Sequence, residues 1–582
     1  MARPIALLAA FLLGAFASAA APQENRSAVL VGLWQATRDF TADVRGTLLL
    51  IERQGRIVAD IAGYVVPVLV RDGTYTFELP GNKGSFRGHK AEGGKEIHGF
   101  WFQPPSASSA LFSSPVTLRK DGPSWRGEVT PLPDRYTYFL PVTRSADGTL
   151  KTYLRNPERN DGVFWRVDSI ALDGDKVTLS GHMRGAKEQK PLFEARLAEA
   201  RISGFPGRGG SYDFDKVDDE VLNPFYPRGK APAPYRYEKP LQRADGWPTA
   251  TVEEVGIDRA GIEKLMKRII EAPMDSLGAG QIHSVLIARH GKLVVEEYFH
   301  GHHRDFPHEL RSASKSLTSM MVGAAMQAGI NVSPDTPVYS TMLGVLPAGI
   351  DPRKRQMKLE HLLSMTGGHF CDDSNDDAPG NEDRMQDQQE ERDWYRFILA
   401  LPMDRTPGEK TIYCSIDAHL AGGVLAKVAG EPLQELFDRL IARPMRFGPY
   451  YQFLTPNREV YTGGGARLLP RDFLKISQLM LNGGVWEGNR IVSREWAKKS
   501  TAPLRVFTPT TSEYGHLWWT VEHPYRDRKV RVFFAAGNGG QVSIGVPDLD
   551  LAIVFTGGSY ADPALFIPQK VLVPEYILPA VK

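Results

Sequence analysis

Ser312-Ala313-Ser314-Lys315 is the only Ser-x-x-Lys in the chain, and it opens a run in which Leu317, Met320, Met321 and Ala324 recur every three to four residues. That spacing predicts a helix with the serine and the lysine on one face. A serine hydroxyl is a weak nucleophile until a base takes its proton, and a lysine one turn on can serve where burial and the positive helix N-terminus favour the neutral amine. The tetrapeptide alone reads sooner as a capping serine beside a surface lysine, so its surroundings decide.

Working outward, residues 258–270 read as an amphipathic helix with Ile262, Leu265, Met266 and Ile269 on one face and Asp258 as its cap. Runs 284–288 and 292–298 flank His290-Gly291 as a β-hairpin, and three more β runs, 530–534, 542–546 and 551–555, come only near the end. Strands at both ends with helices between them predict an α+β fold: one antiparallel sheet closed by the two ends of the segment, carrying a helical insert.

Before this lies a different texture. From 29 to 202 short β runs alternate with turns, as in Thr74-Tyr75-Thr76-Phe77-Glu78-Leu79 and around Asp173-Gly174-Asp175, which predicts a mostly antiparallel domain over 22–203. Residues 204–248, rich in Gly, Pro and Tyr, are expected to be a linker, and 249–582 the second domain. At the start, Arg3, the apolar stretch 5–16 and Ala17-Ser18-Ala19 predict a cleaved signal peptide over 1–21, hence a secreted or periplasmic protein with no stable membrane span.

With 70 Lys plus Arg against 68 Asp plus Glu, and no basic run interleaved with aromatics, nucleic acid is not an expected partner. The chain has two cysteines, Cys371 and Cys414, which in an oxidising compartment are expected to pair. Two free thiols are the alternative.

Two further motifs accompany the serine and lysine: Tyr413-Cys414-Ser415 and, beside a C-terminal strand, Gly537-Asn538-Gly539-Gly540-Gln541. With these the sequence resembles the class C β-lactamase, penicillin-binding-protein and DD-peptidase superfamily, and within it the esterases and 6-aminohexanoate-dimer hydrolase-like proteins. The resemblance runs from about residue 245 to 575 and includes His361-Leu362-Leu363-Ser364-Met365-Thr366-Gly367-Gly368, Pro407-Gly408, Gly463-Gly464-Gly465, Arg471-Asp472-Phe473 and Leu481-Asn482-Gly483-Gly484.

The resemblance implies a β-lactamase/transpeptidase-like catalytic domain in which Ser312 is acylated, Lys315 accepts and relays its proton, and Tyr413 activates the attack or protonates the leaving group, without metal or cofactor. It implies an oxyanion hole from the Ser312 amide and the C-terminal strand, placed at Gly540 with Gly539 and Gln541 as register neighbours, and with Asn538 and Ser415 toward the substrate. The chain departs from the family at Ser415, where asparagine is usual, and at Gly537, where lysine or histidine is usual. Gly537 offers no cation for a substrate carboxylate, so small esters, linear amides or peptides are expected before β-lactams.

Three competing readings are a weak or inactive penicillin-recognising sensor, a cell-wall peptidase or β-lactamase, and a binding role for the N-terminal domain, whose Gly32-Leu33-Trp34 start resembles that of small β-barrel modules. His300-Gly301-His302-His303-Arg304-Asp305 is read as an exposed loop because its spacing misses the usual zinc order. The acidic stretch 372–393 is read as a solvated loop.

Overall fold

A computed structural model describes residues 27–105, 110–218, 224–507 and 512–582; the expected signal peptide lies outside the described residues. Eight antiparallel strands close into a barrel when Gly32–Asp39 pairs with both Arg135–Arg144 and Gly210–Val217. Trp34, Tyr138, Phe205, Tyr212 and Phe214 fill its interior, with Tyr138 edge-on to Tyr212 at 4.8 Å and the Trp34 indole N–H donating to the Leu30 carbonyl at 2.7 Å. The Gly-Leu-Trp start therefore supplies a core residue.

The barrel corrects one boundary. Gly210–Val217 falls inside the stretch expected to be linker, and it is a strand because Tyr212 and Phe214 alternate with polar residues and point into the barrel. The proline-rich connection begins after it.

Residues 46–129 form a second antiparallel sheet whose order runs from Tyr64–Pro67 at one edge to Leu69–Arg71 at the other. A short strand from far downstream, Gln452–Leu454, pairs with Leu111–Asp121 in this sheet through Gln452↔Ser113 and Phe453↔Phe112. The two halves of the chain are thus laced together.

The second half is built on an eight-stranded antiparallel sheet in the order Lys292–Tyr298, Ile282–Arg289, Leu551–Gly557, Gln541–Val546, Arg528–Gly537, Trp519–Tyr525, Glu513–Tyr514, Arg505–Val506. As expected, first and last strands meet, Val285 opposite Phe555 and Ile287 opposite Ile553. Both faces are covered. Val285 and Ile287 pack with Ile262, Leu265 and Met266 of Arg259–Ile270, and Leu286 and Ala288 face the core of Leu317, Met321, Leu420 and Phe473. Covering both faces accounts for the unbroken apolar run Val285-Leu286-Ile287-Ala288. Asp258 caps its helix by accepting from the Gly261 amide at 3.1 Å. No helix among the described residues is long and apolar enough to cross a membrane.

Candidate active site

Ser312 lies in a tight turn, Arg311–Ser314, that runs directly into the helix Lys315–Gln327. Arg311, just before it, has φ +49°, a left-handed conformation that costs a non-glycine residue free energy and must be held by its neighbours. The turn presents Ser312 half-buried, while Lys315, 1% exposed, reaches back so that its Nζ donates to Ser312 Oγ at 2.9 Å and to the Gly463 carbonyl at 2.6 Å.

The ring of Tyr413 covers the ammonium, with Nζ 5.0 Å from its centroid, and stacks on Trp519 at 5.7 Å. Tyr413 sits two residues ahead of the helix Ser415–Ala429, and the Cys371–Cys414 disulfide, with its Cα atoms 5.9 Å apart, ties that helix start to the loop 371–382.

That loop contributes two carboxylates. Asp373 Oδ2 accepts from the Ser415 amide at 2.7 Å and from its hydroxyl at 2.6 Å, and Glu382 Oε2 lies 3.0 Å from the same hydroxyl. Tyr461 and Gln386 donate to Glu382 Oε1 at 2.6 and 3.1 Å. Ser415 has one hydroxyl hydrogen, which the closer Asp373 takes, and both carboxyl groups converge on that hydroxyl. Burial, then the facing Glu382 carboxylate, raise Asp373 to about 6 against the opposing pull of Lys315 and Ser415.

Burial alone would lower Lys315, but Tyr413, Glu382 and Asp373 outweigh it and raise the amine above its ordinary value. Lys315 is consequently an ammonium near neutral pH.

The third motif lies differently from its expected register. Asn538-Gly539-Gly540 forms the hairpin turn between Arg528–Gly537 and Gln541–Val546. A Cβ on Gly540 would meet Leu565 and Pro568, and one on Gly539 the Gln541 amide and Tyr560. A Cβ on Gly537 would come within 2.1 Å of the Leu310 carbonyl and 3.0 Å of the Ala313 nitrogen. The strand backbone against the nucleophile turn is thus Gly537, and only glycine permits the approach. Gln541 is fully buried, bonded through both side-chain ends to Gly557, and Asn538 Oδ1 accepts from the Ala561 amide at 2.7 Å.

The profile described as Beta-lactamase matches residues 266–559, just over half of the chain. This chain belongs to the beta-lactamase family. Its second half has the β-lactamase/transpeptidase-like α+β fold. It is 25% identical over 264 residues to the 6-aminohexanoate-dimer hydrolase of Paenarthrobacter ureafaciens, an alignment covering 40% of this chain and 63% of that relative. Among solved structures it is similar to a family VIII carboxylesterase (17% identity, 59% of this chain and 100% of the other, TM-score 0.43) and to a D-stereospecific amidohydrolase from Streptomyces sp. (16% identity, 54% and 99%, TM-score 0.41).

In this beta-lactamase-family chain Ser312, Lys315 and Tyr413 come together, whereas Ser415, Gln541 and Asn538 are engaged in internal hydrogen bonds. Two loop readings change. Of the acidic stretch, Asp376 and Asp377 are exposed as expected, but Asp373 and Glu382 turn inward behind Ser415. Of the histidine loop, His303 is exposed, but His300 is buried and the half-buried His302 gathers with His283 and His308. A cation fits this arrangement poorly. The His283 and His302 rings stack at 3.9 Å and 16°, so a metal in the plane of one ring's lone pair would lie over the face of the other.

Proposed function

We propose that this chain is a secreted serine hydrolase that acts through an acyl-enzyme on small esters or linear amides. The reading rests on one contact, Lys315 Nζ at 2.9 Å from the hydroxyl of a half-buried serine at a helix start.

Because Lys315 is held as an ammonium, it positions the serine oxygen and supplies positive charge, and the serine proton passes to Tyr413 acting as a phenolate beside it. Ser312 Oγ then bonds to the substrate carbonyl carbon, the proton passes from Tyr413 to the leaving oxygen or nitrogen, and water releases the acyl group in a second step. The oxyanion is placed between the Ser312 amide and the backbone of Gly537, the strand residue against the nucleophile turn. Arg311 faces Glu309, and Gly537 carries no side chain, so neither offers a free cation to a β-lactam carboxylate.

A fluorophosphonate probe followed by peptide mapping tests the nucleophile: the adduct is expected on Ser312, and an adduct elsewhere refutes the reading. Specificity constants for p-nitrophenyl esters are expected to exceed that for nitrocefin, and the reverse order rejects the substrate class.

A further inference from the structure

The loop 155–163 belongs to the N-terminal β domain, yet it packs behind the nucleophile turn. Arg159 Nη1 donates to Glu309 Oε2 at 2.7 Å. Glu309, whose side chain is 8% exposed, pairs through its other oxygen with Arg311 at 2.8 Å and accepts from Arg467 at 3.2 Å. Arg311 is the strained residue directly before Ser312. A continuous run of ion pairs therefore leads from the β domain to Arg311, the residue directly before Ser312.

Arg159 is itself held on both sides. Its amide donates to Asn156 Oδ1 at 2.9 Å and its Nε to the Tyr136 hydroxyl at 3.2 Å. The neighbouring Asn160 donates to the Tyr560 carbonyl at 2.9 Å, and Tyr560 lies under the Arg311 guanidinium at 5.1 Å. The approach is close enough that a Cβ on Gly558 would stand 2.7 Å from the Pro157 carbonyl.

We propose that the N-terminal β domain is a working part of the hydrolase site, its Arg159 acting as a positioning residue that fixes Arg311, and hence the Ser312 turn, through Glu309. The proposal rests on Ser312 being the nucleophile. Glu309 is suited to the role: burial alone would raise its pKa, but Arg159, Arg311 and Arg467 hold it well below the carboxylate range, so it stays charged at any working pH. Removing Arg159 leaves Glu309 paired with Arg311 and Arg467, so the loss is one of geometry and no buried charge is left alone. The domains also stay docked, because Gln452–Leu454 pairs with the N-terminal sheet and Tyr451 donates to the Thr130 carbonyl at 3.1 Å, both independent of Arg159.

Hydrogen–deuterium exchange on the full-length protein reads the clamp without reference to turnover. Arg159→Met is expected to speed exchange across 308–316 by roughly ten-fold while leaving 415–429 unchanged. Unaltered exchange across 308–316 overturns the clamp even in protein that hydrolyses nothing. In wild-type protein that labels at Ser312, Arg159→Met is expected to lower kcat on a p-nitrophenyl ester by roughly ten- to a hundred-fold with KM little changed, and Arg159→Lys to recover part of the loss. His89→Ala, at a different contact between the domains, is expected to match wild type. A kcat for Arg159→Met within about two-fold of wild type, or an equal loss in His89→Ala, overturns the assignment. Failure of wild type to label at Ser312 refutes the proposed function and leaves exchange to decide the clamp.

Discussion

The turn Arg311–Ser314 and the hairpin turn after Gly537 flank one site but work through different parts of the chain. The first brings side chains together: the Ser312 hydroxyl and the Lys315 amine, 2.9 Å apart across one helical turn. The second acts by bringing backbone close, and it does so where a side chain is missing. Residue type at fixed spacing therefore marks the first turn, whereas Gly537, Gly539 and Gly540 are chemically identical and only their packing tells them apart.

The comparison breaks most visibly at the nucleophile. Ser312→Ala is expected to lower ester hydrolysis by on the order of 10⁴-fold or more and to abolish fluorophosphonate labelling, with an unchanged circular dichroism spectrum. Retained turnover would show that the first turn does not act by its hydroxyl.

The hairpin is distinguished by two alanines. Gly537→Ala places a methyl within 2.1 Å of the Leu310 carbonyl, so it is expected to cost about a hundred-fold in kcat/KM along with stability. Gly540→Ala, at φ +91°, strains its own turn by about 1–2 kcal/mol but is expected to leave kcat within a few-fold of wild type. If Gly540→Ala is the more damaging in steady-state kinetics, the oxyanion register belongs to Gly540 after all.

Reducing the Cys371–Cys414 bond opens a loop with a sequence separation of 43 and is expected to remove roughly 4 kcal/mol in the chain-entropy description. Calorimetry with and without reductant checks this, and an activity loss larger than the stability loss explains would show that the bond holds Tyr413 and Asp373 in place.

The smallest effect concerns pH. Asp373 is raised from 3.8 to about 6, so its contribution to stability is fully present below about pH 4 and is lost as pH rises through 6. Wild-type Tm is expected to fall by on the order of a few degrees between pH 5 and 7, and Asp373→Asn to flatten that decline. Scanning fluorimetry across the interval measures both slopes, and parallel slopes would contradict the raised titration.

Most of the large antiparallel sheet and the meeting of Lys315 with Ser312 were legible because each depends on residue type at fixed spacing, Val285 to Ala288 as a β run and Lys315 three residues after Ser312, whereas Tyr413 was found only through the family resemblance. The short strands Glu513–Tyr514 and Arg505–Val506 were not legible, since two residues carry no period. Asp373 and Glu382 were hidden in a run of acids, because composition does not distinguish a carboxylate facing water from one facing Ser415. Arg159 and Glu309 were invisible for a further reason. They meet across 150 residues, and no local pattern marks such a pair.

The pairing of Ile282–Arg289 with Leu551–Gly557 also bears on how the protein folds. During synthesis the barrel can close once Gly210–Val217 has emerged, but the catalytic sheet must wait for a strand more than 250 residues beyond the one it joins. The start of Leu111–Asp121, at 111–113, lies beyond the pairing of that strand with Ser124–Val129, and Gln452–Leu454 adds there. The sheet beside Ser312 is therefore complete only when the last strands have been made.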